Sequence, residues 1–208
     1  MRTAAVLPVK SFDRAKSRTA LDGPQRAALA QAMVDDVLAA LADVAALAEI
    51  IVVTREPRAA RAASRIGAVL VDDPSESGHN PAAVRGAALA AERGAERVLF
   101  VPGDCPGLDP VELATLLADP QPGVTVVPDR HGSGTNALML APAQVMAPSF
   151  GPGSLARHAA MARAAGVAVR IAEVPSLAFD VDTPQDLAAL REAGPQTSAL
   201  LRGAFAAS

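Results

Sequence analysis

Three aspartates and a short run of cations are the residues of this 208-residue chain whose types and spacing could do chemistry. Asp104 ends the apolar run of LFVPGDCP, next to Gly103, whose missing side chain lets a ligand come close. Asp180 and Asp182, in FDVDTPQDL, stand two apart in an extended segment and can point the same way. Carboxylates arriving from two strand ends suit Mg2+ bridging phosphate oxygens, in the manner of a two-magnesium clamp. Plainer readings stay open: Asp104 as a turn residue, and Asp182 as the N-cap of the helix TPQDL, with Pro184 early and Asp186 in its first turn. Lys10, Lys16 and Arg18 in PVKSFDRAKSR could neutralise a polyphosphate, Lys as a point charge and Arg as a two-pronged donor. A solvated surface loop would look the same. Neither G-x-x-x-x-G-K-[ST] nor a G-x-G-x-x-G after the first strand is present, so phosphate binding here needs another architecture.

Two glycine-rich stretches carry hydroxyls. DRHGSGTN holds Ser133 and Thr135, and FGPGS holds Gly151 and Ser154. Exposed amides near glycine and a helix starting at Ser154 could form a nest for a small anion, or serve only as turn and cap. Asn80, just before a helix, could cap it or touch a nucleotide base. His131 and His158 could be ligands or acid-base groups but read first as surface residues, and Cys105 as a small packing residue.

Elements must bring these residues together. Short apolar runs alternate with helical stretches: TAAVLPV (Thr3 to Val9), EIIVVT, AVLV, RVLFV, VTVVP, TNALMLA and VAVRIAEV read as strands. A helix from Pro24 carries Leu29, Met33, Val37 and Leu41 on one face, and others begin near Pro57, Pro81, Pro110, Ser154 and Thr183. Such alternation implies an α/β fold with a mainly parallel sheet and helices on both faces. Ligands in such folds bind at the carboxyl ends of strands, which selects the loops after Lys10, Asp72, Pro102, Asp129 and Pro175. No linker or repeat divides the chain, so residues 1–208 are expected to be one domain, with a loosely held tail after about residue 195. The net charge of −3 and the absence of Trp and Tyr argue against a nucleic-acid reader. No apolar run reaches the roughly 20 residues of a membrane span. One cysteine and no secretory pattern point to the cytoplasm. A homo-oligomer stays open.

Taken in order, PVKSFDRAKSR, PGDCPGLDP, VVPDRHGSGTNALML, FGPGSLARH and DVDTPQDL resemble the CofC/FbiD family, the guanylyltransferases of deazaflavin coenzyme F-420 biosynthesis. The resemblance implies a single-domain, Rossmann-like nucleotide-diphospho-sugar transferase fold. It also implies that GTP is joined to a three-carbon phosphoacid with release of pyrophosphate. By matching position, Thr135, Gly151 and Ser154 would bind the phosphoacid, and Asp104, Asp180 and Asp182 would hold magnesium. Lys10, Lys16 and Arg18 would surround the GTP phosphates, with Asn80 and Gly103 nearby as nucleotide-binding residues. Phosphoenolpyruvate is the favoured acceptor, with 2-phospho-L-lactate and 3-phospho-D-glycerate as alternatives. A molybdopterin or sugar-phosphate nucleotidyltransferase and a non-catalytic nucleotide-binding module are the rival readings. Three positions depart from the family pattern: Thr19 where Leu is usual, His79 in place of Leu, and Gly153 where relatives have Asp.

Overall fold

A computed structural model of the chain describes residues 1–14, 21–74, 76, 78–190 and 192–205. Lys16, Arg18 and Thr19 lie outside the described residues. Seven strands form one sheet: β1 (Thr3–Val9), β2 (Glu49–Thr54), β3 (Val69–Asp72), β4 (Arg97–Phe100), β5 (Gly123–Pro128), β6 (Thr135–Ala141) and β7 (Val169–Ile171). The helices are α1 (Gly23–Ala42), α2 (Pro57–Arg65), α3 (His79–Glu92), α4 (Pro110–Ala118), α5 (Ser154–Ala164), α6 (Pro175–Ala178), α7 (Pro184–Ala189) and α8 (Pro195–Phe205).

Strand order is β3-β2-β1-β4-β6-β5-β7, and β6 alone runs against its neighbours. The direction of β6 matters for the site. Being antiparallel, it begins where β4 and β5 end, which brings Thr135 to the edge of the sheet where their loops emerge.

Side-chain alternation along β1 builds two cores. Ala5, Leu7 and Val9 pack beneath α1, α2 and α4, while Ala4 and Val6 pack beneath α3 and α5. Helix α3 lies close on the sheet because Gly86 has no side chain. A Cβ there would stand 2.4 Å from Val6 Cγ1 and 2.9 Å from Val53 Cγ2. No described helix is long and apolar enough to cross a membrane.

Several boundaries differ from the sequence reading. Helix α1 stops at Ala42, because Val44 and Leu47 turn back into the core ahead of β2. Strand β7 is only Val169–Ile171, an edge strand that pairs with β5 from Val124 to Val126. The helix expected from Thr183 to Gly194 ends at Ala189. Gly194 donates its amide to Pro106 O, and the residues from Pro195 form α8 against α1 instead of a loose tail. Asp36, buried on α1, accepts the amides of Gln196 and Thr197 at 2.9 and 2.8 Å and so caps α8 from across the packing interface.

Candidate active site

The chain winds outward from β1 to β2 and β3, then returns to place β4 on the other side of β1. Loops leaving β1 and β4 diverge at such a switch point and leave a crevice. A cleft of about 460 Å³ lies there, lined by Lys10 after β1, His79 at the start of α3, Gly103 and Asp104 after β4, and Asp182. Residues that are far apart in sequence thus meet in the way their loops suggested.

Two glutamates hold the loop that carries Lys10. Glu56, 4% exposed, accepts the Phe12 amide at 3.0 Å, the Arg58 amide at 3.1 Å and Arg58 Nε at 2.8 Å. Burial opposes its charge, but the bonds from Arg58 and Phe12 outweigh this and pull the carboxyl down to about 2. Glu76 accepts the Ser11 amide at 2.8 Å. Arg58 also stacks over the Phe12 ring, 5.1 Å from its centroid.

The glycine-rich loop before α5 is locked by three side chains. Asn80 donates to Phe150 O at 3.1 Å and accepts the Phe150 amide at 2.7 Å. Arg157 donates from Nε and Nη2 to Ser149 O and from Nη1 to Pro152 O. His158 Nε2 accepts the Ser149 amide at 2.9 Å, and its Nδ1 lies 3.0 Å from Thr135 Oγ1. The residue at the N-cap, Gly153, has φ +69°, a left-handed conformation that glycine adopts without steric cost. Helix α5 is not an open anion nest, since the Ser154 amide goes to Gly151 O and the Leu155 amide to Ser133 O. The Ser154 hydroxyl, in contrast, is buried with no partner among the described residues.

A third segment carries the other two aspartates. The Val181 amide bonds to Asp104 O, the Arg130 amide to Ala178 O, and Asn136 Nδ2 to both Leu177 O and Asp180 Oδ1. Asp186 braces this segment from α7, accepting the amides of Asp182 and Thr183 at 2.8 and 2.7 Å and pairing with Arg130. Arg130 in turn stacks over Phe179, 4.8 Å from its centroid. Thr183 is the N-cap of α7, with Asp186 completing a capping box, so Asp182 is not the cap; it lines the cleft.

Burial raises the Asp180 carboxyl above its ordinary range, and the nearby Asp104 charge raises it further, while Asn136 opposes both. The donor set of Asp104, Asp180 and Asp182 is all hard oxygen and mutually repulsive, chemistry that fits a divalent cation. Among the described residues, no three ligating side chains stand close enough together to hold an ion as they are. Asp180 itself is not among the residues lining the cleft.

Of the sequence-based expectations, Lys10, Gly103, Asp104 and Asp182 share the cleft, and Thr135 and Ser154 lie beside the α5 loop. Asn80 sits inside the first turn of α3, whose N-cap is Gly78, and its amide is engaged on Phe150. His158, expected at the surface, is fully buried. Lys16 and Arg18 fall outside the described residues. Sequence reasoning missed Glu56, Glu76, Arg130 and Arg157, and it did not foresee that His158 is buried; all five hold loops in place. Their signal was weak, because a bracing residue is defined by its partner across the fold and not by local spacing.

The family described as Guanylyl transferase CofC like matches residues 3–201. The chain belongs to this family. It is a nucleotidyltransferase of the guanylyl-transferring kind. The phosphoenolpyruvate guanylyltransferase of Conexibacter woesei is 52% identical over 198 residues, which covers 92% of this chain and 88% of that one. A solved structure from Desulfovibrio desulfuricans G20, described as a nucleotide-diphospho-sugar transferase, superposes with a TM-score of 0.77 at 17% identity, covering 99% of this chain and 96% of that one. Glucosyl-3-phosphoglycerate synthase from Mycobacterium tuberculosis, solved with Mn2+, uridine diphosphate and phosphoglyceric acid, superposes with a TM-score of 0.57 at 14% identity, covering 83% and 68%. These two structural likenesses establish the fold expected from the sequence.

Proposed function

We propose that this guanylyltransferase joins GTP to phosphoenolpyruvate, giving enolpyruvyl-diphospho-5'-guanosine and pyrophosphate, as a step of coenzyme F-420 biosynthesis. The observation that carries the proposal is the meeting of Lys10, Asp104 and Asp182 in the cleft at the sheet's switch point, in a chain 52% identical to a phosphoenolpyruvate guanylyltransferase. The reaction takes place in the cytoplasm; Cys105, a buried thiol that donates to Leu177 O, is compatible with a reducing compartment.

An oxygen of the acceptor phosphate attacks the α-phosphorus of GTP. A new phosphorus–oxygen bond forms, the bond to the bridging oxygen breaks, and pyrophosphate leaves with that electron pair. The nucleophile is already an anion, so no general base is needed. Catalysis is positioning and charge neutralisation. Lys10 lines the cleft, where it can meet the triphosphate, and Lys16 and Arg18, which follow it in the sequence, would add their charges to its own. Gly103 allows the nucleotide to approach the backbone closely. Asn80, engaged on the Phe150 backbone, acts on the acceptor loop that it holds. Asp104, Asp180 and Asp182 would hold Mg2+, which when bound offsets the charge of the phosphates. A magnesium-nucleotide assignment also accords with the structural likeness to an enzyme solved with Mn2+ and a nucleotide.

Thr135, Gly151 and Ser154 receive the phosphoacid. The unpartnered Ser154 hydroxyl and the Thr135 hydroxyl supply donors there, and Arg157 and His158 hold the loop that carries Gly151.

The test is pyrophosphate release with GTP and Mg2+, run separately with phosphoenolpyruvate, 2-phospho-L-lactate and 3-phospho-D-glycerate, with ATP as the control nucleotide. Turnover with GTP and phosphoenolpyruvate alone is the expected result. Turnover with another acceptor in its place refutes the assigned substrate, and no turnover with any of them refutes the reaction.

A further inference from the structure

His158 presents a question of proton placement that its surroundings answer. The ring is fully buried on α5. The Ser149 backbone N–H, which can only donate, points at Nε2 from 2.9 Å, so Nε2 must offer its lone pair. A neutral imidazole then carries its proton on Nδ1, which faces Thr135 Oγ1 at 3.0 Å. Burial, reinforced by the neighbouring Arg157 charge, pushes the ring down to about 4, so it stays neutral in working conditions.

The consequence falls on Thr135. A hydroxyl can donate or accept, and which it does is set by the strongest neighbour. With Nδ1–H donating to its oxygen, the Thr135 hydroxyl must send its own hydrogen elsewhere, and it has no other partner among the described residues. An anionic oxygen needs a donor and is repelled by a lone pair.

We propose that His158 is a positioning residue for the acceptor site: by donating from Nδ1 to Thr135 Oγ1, it fixes the threonine hydroxyl as a hydrogen-bond donor to an anionic oxygen of the phosphoacid. The same ring, through Nε2, holds Ser149 and so ties the glycine-rich loop to the start of β6. This inference rests on the reading that Thr135 binds the acceptor.

Two substitutions separate the two nitrogens. In His158→Gln the side-chain carbonyl reaches the Nε2 position and still accepts the Ser149 amide, but nothing donates to Thr135. In His158→Asn the amide nitrogen occupies the Nδ1 position and keeps the donor. With phosphoenolpyruvate varied against saturating GTP, His158→Gln raises the acceptor KM about tenfold or more, the loss of a hydrogen bond to a charged group. The KM for GTP stays within about twofold of wild type, and His158→Asn recovers most of the loss, on the same hydrogen-bond argument. In a Thr135→Val background, His158→Gln adds nothing, because the two residues act through one bond.

A purely structural role predicts the reverse order, with Asn worse than Gln, and that order overturns the proposal. Additive effects of the two substitutions also overturn it. If Thr135→Val leaves the acceptor KM unchanged, the assigned role of Thr135 falls and the inference falls with it. If Thr135→Val raises the KM and His158→Gln does not, only the inference falls. Nitrogen NMR of the wild-type protein tests it without any substitution. With only three histidines to assign, the His158 ring should show the Nδ1–H tautomer, and an Nε2–H signature overturns the proposal.

Discussion

Replacing Glu56 with Gln tests the idea that a buried carboxylate organises the loop carrying Lys10. The substitution keeps the shape of the side chain and removes its charge. In the folded protein the carboxyl sits at about 2, against an ordinary value of 4.5. Since one unit corresponds to about 1.4 kcal/mol, the charged form contributes roughly 3 kcal/mol at neutral pH. The sign follows from the depressed value: the contribution is complete above 4.5 and disappears as pH falls toward 2. Urea unfolding of both proteins should give a difference of roughly 3 kcal/mol at neutral pH, about 2 near pH 3.5 and under about 1 near pH 2.5. Because Glu56 accepts the Phe12 amide, the variant should also bind GTP less tightly, with the KM for phosphoenolpyruvate little changed. A stability difference below about 0.5 kcal/mol at neutral pH, or one that does not change with acidification, would show that Glu56 is not a charged anchor.

The remaining predictions concern other points of the scaffold and the site. Gly86→Ala forces a methyl against Val6 and Val53 and should destabilise by about 1 to 3 kcal/mol, read as a lower urea midpoint with an unchanged slope. Asp104→Asn and Asp182→Asn should each abolish pyrophosphate release while leaving the circular dichroism spectrum and unfolding midpoint near wild type; full activity in both would remove the metal assignment. Asp36→Ala leaves the Gln196 and Thr197 amides without their buried acceptor and should cost about 1 to 3 kcal/mol, with earlier proteolysis within α8 than within α1. Asn80→Ala frees the backbone of Phe150 and should raise the acceptor KM several-fold; an effect confined to the GTP KM would favour direct contact with the nucleotide instead.

The bracing residues explain why these effects reach across the molecule. Glu56 comes from the start of α2, Asn80 from α3, and Asp186 from α7, yet each fixes a loop that begins on another element. A site assembled this way is held in place by the packing of the sheet and helices. Loss of one brace loosens one loop, and the kinetic consequence should be confined to the substrate that loop receives.

Local pattern was enough for most of the strands and for the starts of several helices, but it gave neither α6 nor α8. Alternation and apolar runs marked β1, β2 and β6 to the residue, and prolines marked the starts of α2 and α4. The local pattern also singled out Asp104, which follows β4, whereas Asp180 and Asp182, expected at a strand end, follow α6 instead, and packing brings Asp182 to the cleft. Only the tertiary structure decided which partners those residues have. Nothing in FGPGSLARH says that His158 turns inward to Thr135, and nothing near Pro195 says that Asp36 on α1 caps the last helix. The reversal of β6, which brings Thr135 to the ligand end, is likewise a property of pairing. Periodicity reports which face of an element is apolar, whereas hydrogen bonds between residues 23 and 160 positions apart depend on how the faces are stacked.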